Sequence, residues 1–296
     1  MVARSSRPII IGVLLGVLLG FVAPQAKAAD SPASDRPTTA NTRIIKADGL
    51  SQWINCQGSG PLTLIVIPGL GTASSQWATV RPSLAKLTRT CVYDRPGLGH
   101  SPARSHPGSA TNSGQQAREL RKLLEAAGEP GPYVVLGHSY GGLVARSLVR
   151  QYPHEVSGLL LMEGVDPSSK GGSHYWHEAG QAIDMLQSRA AAQGDLGLQD
   201  KPLLVVSASS PGQDHLGGPT YGESAAAIAE WRAQQESATR LSSNAIQVVA
   251  RSGHVVQQDN PKATLEAVRE LILSARTHSP VHCLPVWHSL NSTCLD

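Results

Sequence analysis

The chain has 296 residues, 41% of them apolar, 16% charged and 4% aromatic, a globular composition that excludes disordered, collagen-like and coiled-coil chains. A chain of this length buries roughly three quarters of its unfolded surface, so its core needs neither a metal nor dense disulfides. The formal charge of +3 rests on Arg4, Arg7 and Lys27; without these three of the 25 basic residues, positive and negative side chains balance. A neutral chain with no Lys/Arg run carries no electrostatic footprint for nucleic acid, which is excluded as a partner.

Residues 1–28 read as a secretory signal: Arg4 and Arg7, an apolar stretch from Ile9 to Val22, then Ala26-Lys27-Ala28 as a small-x-small cleavage site. The apolar stretch is shorter than the ~20 residues that span a bilayer, and nothing like it recurs, so no membrane span is expected after cleavage. The chain is expected to be exported, to the periplasm or outside the cell. Residues 29–42, rich in Ser, Pro, Thr and Ala, read as a flexible lead-in. Four cysteines follow, Cys56, Cys91, Cys283 and Cys294. In an exported chain without a CxxC motif they point to structural disulfides, with three connectivities open.

From there to residue 277, unbroken apolar runs alternate with helical patterns. Leu62–Ile67, Thr90–Tyr93, Tyr133–Leu136, Ser157–Met162, Leu203–Val206 and Ile246–Val249 read as strands buried on both faces. Gln76–Leu87, Gln115–Ala127, Leu143–Gln151, Tyr221–Leu241 and Pro261–Ser274 read as helices. This alternation predicts an α/β domain over 43–277, a mostly parallel sheet covered on both faces, with one insertion at about 166–200 and a tail over 278–296. Active groups in such sheets gather at the carboxyl ends of strands.

One strand end carries Gly137-His138-Ser139-Tyr140-Gly141 before a helix. A nucleophilic serine on a sharp strand-to-helix turn needs small flanking residues where backbones pass close. His254, in Ser252-Gly253-His254 after the last strand, is the candidate base. His138 is too constrained by the turn for that role and is expected to pack or hydrogen-bond locally. The turn Pro68-Gly69-Leu70-Gly71 can aim the Leu70 N–H at a developing oxyanion, and the Tyr140 N–H can supply a second donor.

The elbow, the histidine loop with Gln257, Asp259 and Pro261, and the turn Tyr93-Asp94-Arg95-Pro96-Gly97-Leu98-Gly99-His100-Ser101 together resemble the α/β-hydrolase fold superfamily, of the bacterial exported single-domain serine hydrolase type. The resemblance covers about Gly49 to Ala275. One departure is Pro68-Gly69 where many members have His-Gly; the donor there is backbone. Asp94 and Arg95 are expected to hold loops together. Members place the triad acid after either of two strands, which leaves three candidates: Glu163 at its strand end, Asp214 in a Gly/Pro/Ser-rich loop, and Asp166. The Met-Glu-Gly run resembles the strand-end glutamate of haloalkane dehalogenases. Those enzymes carry an aspartate nucleophile, whereas this chain has Ser139.

The resemblance further implies that the second strand runs antiparallel beside the fourth, which suggests Cys56–Cys91 and leaves Cys283–Cys294 to close the tail. The insertion would lie over the serine as a lid containing His174, Tyr175, Trp176 and a helix over Ala179–Ala192. The implied activity is hydrolysis of a carboxylic ester or related acyl bond on a small-molecule substrate, through an acyl-enzyme and without metal or organic cofactor. Acyl transfer, lactone opening or metal-free perhydrolysis would use the same residues. A catalytically idle scaffold that binds a ligand is the alternative from another class. Oligomeric state is not legible.

Overall fold

In a computed structural model, residues 41–105, 108, 110–169, 173–210 and 225–295 are described; the signal segment, most of the lead-in and Asp214 lie outside them. The central sheet has nine strands: β1 (Asn41–Ala47), β2 (Leu50–Gln57), β3 (Thr63–Ile67), β4 (Arg89–Tyr93), β5 (Tyr133–His138), β6 (Val156–Met162), β9 (Leu203–Ala208), β10 (Ala245–Ala250) and β11 (Ser292–Leu295). Their order is β1-β2-β4-β3-β5-β6-β9-β10-β11. The run from β4 to β10 is parallel, and β1, β2 and β11 join antiparallel. A separate antiparallel pair, β7 (Tyr175–Glu178) and β8 (Gln181–Asp184), lies in the insertion.

The apolar runs follow from the two-residue period of a strand covered on both sides. Ile65, Val135, Leu159, Leu161 and Val205 belong to one buried cluster, with side chains from the helices α2 (Ser113–Ala126) and α3 (Tyr140–Gln151). Their sequence neighbours Val66, Leu136, Leu160 and Val206 belong to the other, with α1 (Arg81–Leu87) and α7 (Pro261–Thr277). The remaining helices are α4 (Met185–Ala192), α5 (Ala225–Ala238), the single turn α6 (Val256–Asp259) and α8 (Val286–Ser289).

Several expectations need correction. The helix expected over Gln76–Leu87 is a 3-10 turn at Ser74–Trp77 followed by α1. Pro82 is the reason: with no N–H to donate, it suits only the first turn of a helix, so α1 starts beside it. The helix expected over Ala179–Ala192 begins only at Met185. Ala179 and Gly180 both have positive φ, 48° and 77°, the conformation of a two-residue hairpin turn between β7 and β8. Asp184 then caps α4 by accepting the Gln187 N–H at 2.9 Å. The lead-in gives way to β1 at Asn41, and the tail carries α8 and a sheet strand, β11.

Cys56 and Cys91 face each other in the β2–β4 register and are joined as a disulfide, as are Cys283 and Cys294. The second bridge ties β11 to the segment after α7. Among the described residues no helix is long and apolar enough to cross a membrane.

Candidate active site

Ser139 sits between β5 and α3 with φ 53° and ψ −123°. A non-glycine residue rarely adopts this strained conformation, and it turns the side chain outward where strand meets helix. Three backbone bonds hold it: the Ser139 N–H donates to the Met162 carbonyl at 3.1 Å, and its own carbonyl accepts from Gly142 at 2.9 Å and Val165 at 3.0 Å. The flanking glycines are sterically required. A Cβ on Gly137 would lie 2.5 Å from the Gly141 carbonyl oxygen, and one on Gly141 would lie 2.3 Å from that of Ile67.

Glu163 follows directly after β6, fully buried, with a positive φ of 49° that swings its carboxylate across the carboxyl ends of the strands. One oxygen, Oε1, accepts the Ala208 N–H at 2.8 Å and the Trp231 indole N–H at 3.1 Å. The other, Oε2, lies 3.1 Å from His254 Nδ1. His254 is itself buried, and its loop is fastened twice: Asp259 accepts the Gly253 N–H at 2.8 Å, and the His254 carbonyl pairs with His138 Nε2 at 2.9 Å. A carboxylate supplied with donors on both oxygens has one orientation, which fixes the imidazole it touches.

Of the three candidate acids, the structure brings Glu163 to the histidine. Asp166 turns elsewhere, accepting from the Ser168 backbone N–H at 2.8 Å and facing Arg146 at 3.4 Å. Asp214 is not among the described residues. The turn at Pro68–Gly71 lies against the elbow: a Cβ on Gly69 would lie 3.3 Å from that of Ser139 and 3.1 Å from His138 Nδ1. Tyr140 is the first residue of α3, so its N–H has no acceptor within the helix. Asp94 accepts the backbone N–H groups of Ser74 at 2.6 Å and His100 at 2.9 Å, bracing the loops on either side of β4. Among the described residues, one group has spacing suited to a metal ion, Cys56, Cys91 and Glu129. Its two sulfurs are joined in the disulfide.

His138 is buried between the rings of Trp77 and His254. Burial lowers its pKa to about 3, the neighbouring His254 adds to the depression, and the bond to the His254 carbonyl opposes it. Unfolded, the ring titrates near its ordinary 6.5. The unfolded chain therefore takes up a proton that the folded chain refuses, and this costs stability as pH falls from 6.5 towards 3. Urea unfolding at pH 7 and pH 5 should show the wild type losing about 2 kcal/mol more than His138→Gln over that interval. Equal losses would mean that His138 is not held neutral.

Two residues that touch the site went unread in the sequence. Trp231 lies in α5, and nothing in the sequence around it marks its indole as a partner of Glu163. Glu178 stands in β7 of the insertion, where the helical expectation beginning at Ala179 drew attention past it.

A family model described as α/β hydrolase fold matches residues 63–188. An uncharacterised Bacillus subtilis protein, YqjL, is 25% identical over 237 residues, covering 74% of this chain and 87% of its own length. A pimeloyl-[acyl-carrier protein] methyl ester esterase of Sodalis glossinidius is 32% identical over 107 residues, 36% of this chain and 37% of that enzyme. Among solved structures, a thermophilic esterase from Thermogutta terrifontis superposes with a TM-score of 0.56 at 20% identity, over 80% of this chain and 99% of its own. With its parallel sheet, its strained elbow and these matches, the chain has the α/β-hydrolase fold.

Proposed function

We propose that the protein is an exported serine hydrolase that cleaves a carboxylic ester or related acyl bond of a small molecule. The observation that supports this reading most is the 3.1 Å contact between His254 Nδ1 and the fully buried Glu163 carboxylate, beside a serine held in the elbow conformation. A carboxylate on Nδ1 keeps the proton there and leaves Nε2 as the base.

In the proposed reaction, Ser139 Oγ attacks the carbonyl carbon and its proton passes to His254 Nε2. The N–H groups of Leu70 and Tyr140 carry the oxyanion. The intermediate collapses to an acyl-serine, and the alcohol leaves with the proton from His254. Water, deprotonated by the same nitrogen, then attacks the acyl carbon and releases the acid and free Ser139. The Glu163 carboxylate stabilises the imidazolium that forms.

The methyl ester esterase among the relatives supports the acyl class, and the two disulfides are compatible with export. A chain-length series of p-nitrophenyl esters tests the reading. Release of nitrophenol by the mature protein, with one acyl length preferred, is the expected result. No release across the series, with no labelling by a fluorophosphonate, would favour the idle scaffold.

A further inference from the structure

The hairpin of β7 and β8 in the insertion reaches the turn beside Ser139 through a buried ion pair. Arg95, in the turn after β4, and Glu178, the last residue of β7, are both almost wholly removed from solvent. The guanidinium grips the carboxylate with two parallel bonds, Nε to Oε1 and Nη2 to Oε2, each 2.8 Å. Its remaining reach goes to the turn beside the serine: Nη1 donates to the Pro68 carbonyl at 2.8 Å, and Nη2 also donates to that of Gly69. Glu178 Oε2 in turn accepts the Gly71 N–H at 3.0 Å. Leu70, whose N–H is assigned to the oxyanion, therefore stands between residues clamped on both sides by one ion pair.

The same strand face touches the other donor. Trp176, two residues before Glu178, packs its ring 6.4 Å from that of Tyr140, and the Arg95 guanidinium lies 5.6 Å from the Tyr140 ring centroid. The hairpin is pinned from outside as well. Thr111 exchanges backbone bonds with Ala182 and Asp184 at 2.9 and 2.7 Å. At the tip, Gly97 approaches Ala179 so closely that a Cβ on the glycine would lie 2.7 Å from that of the alanine. Burial alone would raise the Glu178 carboxyl, but Arg95, with help from Gly71 and Gln116, holds it below the usual range.

We propose that Glu178 is a positioning residue for the oxyanion site: with Arg95 it fixes the Pro68–Gly71 turn, so that the lid hairpin is a built-in part of the catalytic apparatus. This rests on the hydrolase reading above. A burial of two charges is weak evidence for a role in stability alone, since apolar replacements often fold as well or better. Here the pair spends its bonds on the carbonyls and N–H of one turn, as a locating device would.

The test compares wild type with Glu178→Gln, with Glu178→Asp, and with the double variant Arg95→Met/Glu178→Leu, which leaves no charge buried and unpaired. Turnover of a p-nitrophenyl ester is normalised to sites titrated by fluorophosphonate. Misplacing one oxyanion donor should lower kcat about 10- to 100-fold in Glu178→Gln and in the double variant, with KM within about threefold. Affinity for an arylboronic acid, which forms a tetrahedral adduct on the serine, should fall in proportion to kcat. Glu178→Asp should recover part of the loss. Unchanged kcat per titrated site in the double variant, even with a lowered Tm, would overturn the proposal and leave the pair a structural tie. A wild type that neither turns over ester nor titrates would defeat the hydrolase reading, and the proposal with it.

Discussion

Replacing Glu163 by Gln is expected to lower kcat about 10³- to 10⁴-fold while leaving KM little changed, the scale on which a triad acid acts through its histidine. The packing explains why an amide cannot substitute. Ala208 and Trp231 both donate to Oε1, and His254 Nδ1 faces Oε2. Glutamine offers one carbonyl oxygen and one NH₂. With the oxygen towards Ala208 and Trp231, the NH₂ faces Nδ1 and forces the proton onto Nε2, which then cannot accept one from Ser139. With the oxygen towards His254, the NH₂ meets two N–H donors in a buried space. Asp166→Asn and Asp214→Asn serve as comparisons and should each keep most of the wild-type kcat, because Glu163 fills the acid's place at His254 and Asp166 pairs with Arg146 instead. A large loss from Asp214→Asn, with Glu163→Gln still active, would make Asp214 the acid.

Replacing Ser139 by Ala is expected to abolish ester turnover, a loss on the order of 10⁶-fold where the nucleophile itself is removed. The fold should survive, because alanine keeps the Cβ and leaves the elbow's backbone bonds to Met162, Gly142 and Val165 in place. Circular dichroism and Tm close to wild type would establish that the loss is chemical. Residual turnover within tenfold of wild type would mean that the chemistry is elsewhere.

The sheet was readable because a strand buried on both faces must be apolar at every position, and Leu64, Ile65 and Val66 divide between the two buried clusters as that reasoning requires. The elbow was readable for a different reason: close backbone approach at Gly137 and Gly141 admits no side chain, so the glycines stand in the sequence as a trace of the turn. The acid could not be singled out from sequence. Its selection depends on a positive φ at Glu163 and on donors from Ala208 and Trp231, which are 45 and 68 residues away. The stretch 179–184 reads as helix because it runs into the Ala-rich α4, yet it forms the hairpin turn and β8. Tertiary contacts with Thr111, Gly97 and Arg95 decide the conformation instead, and no local propensity records them. Strands β1 and β11 escaped notice because edge strands, exposed on one side, lack the unbroken apolar run.

In the proposed reaction Ser139 is a nucleophile activated by His254. The most direct test is to incubate the protein with a fluorophosphonate and map the modified peptide by mass spectrometry, with Ser139→Ala and His254→Ala alongside. One phosphonyl group per chain is expected, on Ser139, absent from the first variant and formed far more slowly in the second. Labelling on another residue, or equal labelling rates in wild type and His254→Ala, would contradict it.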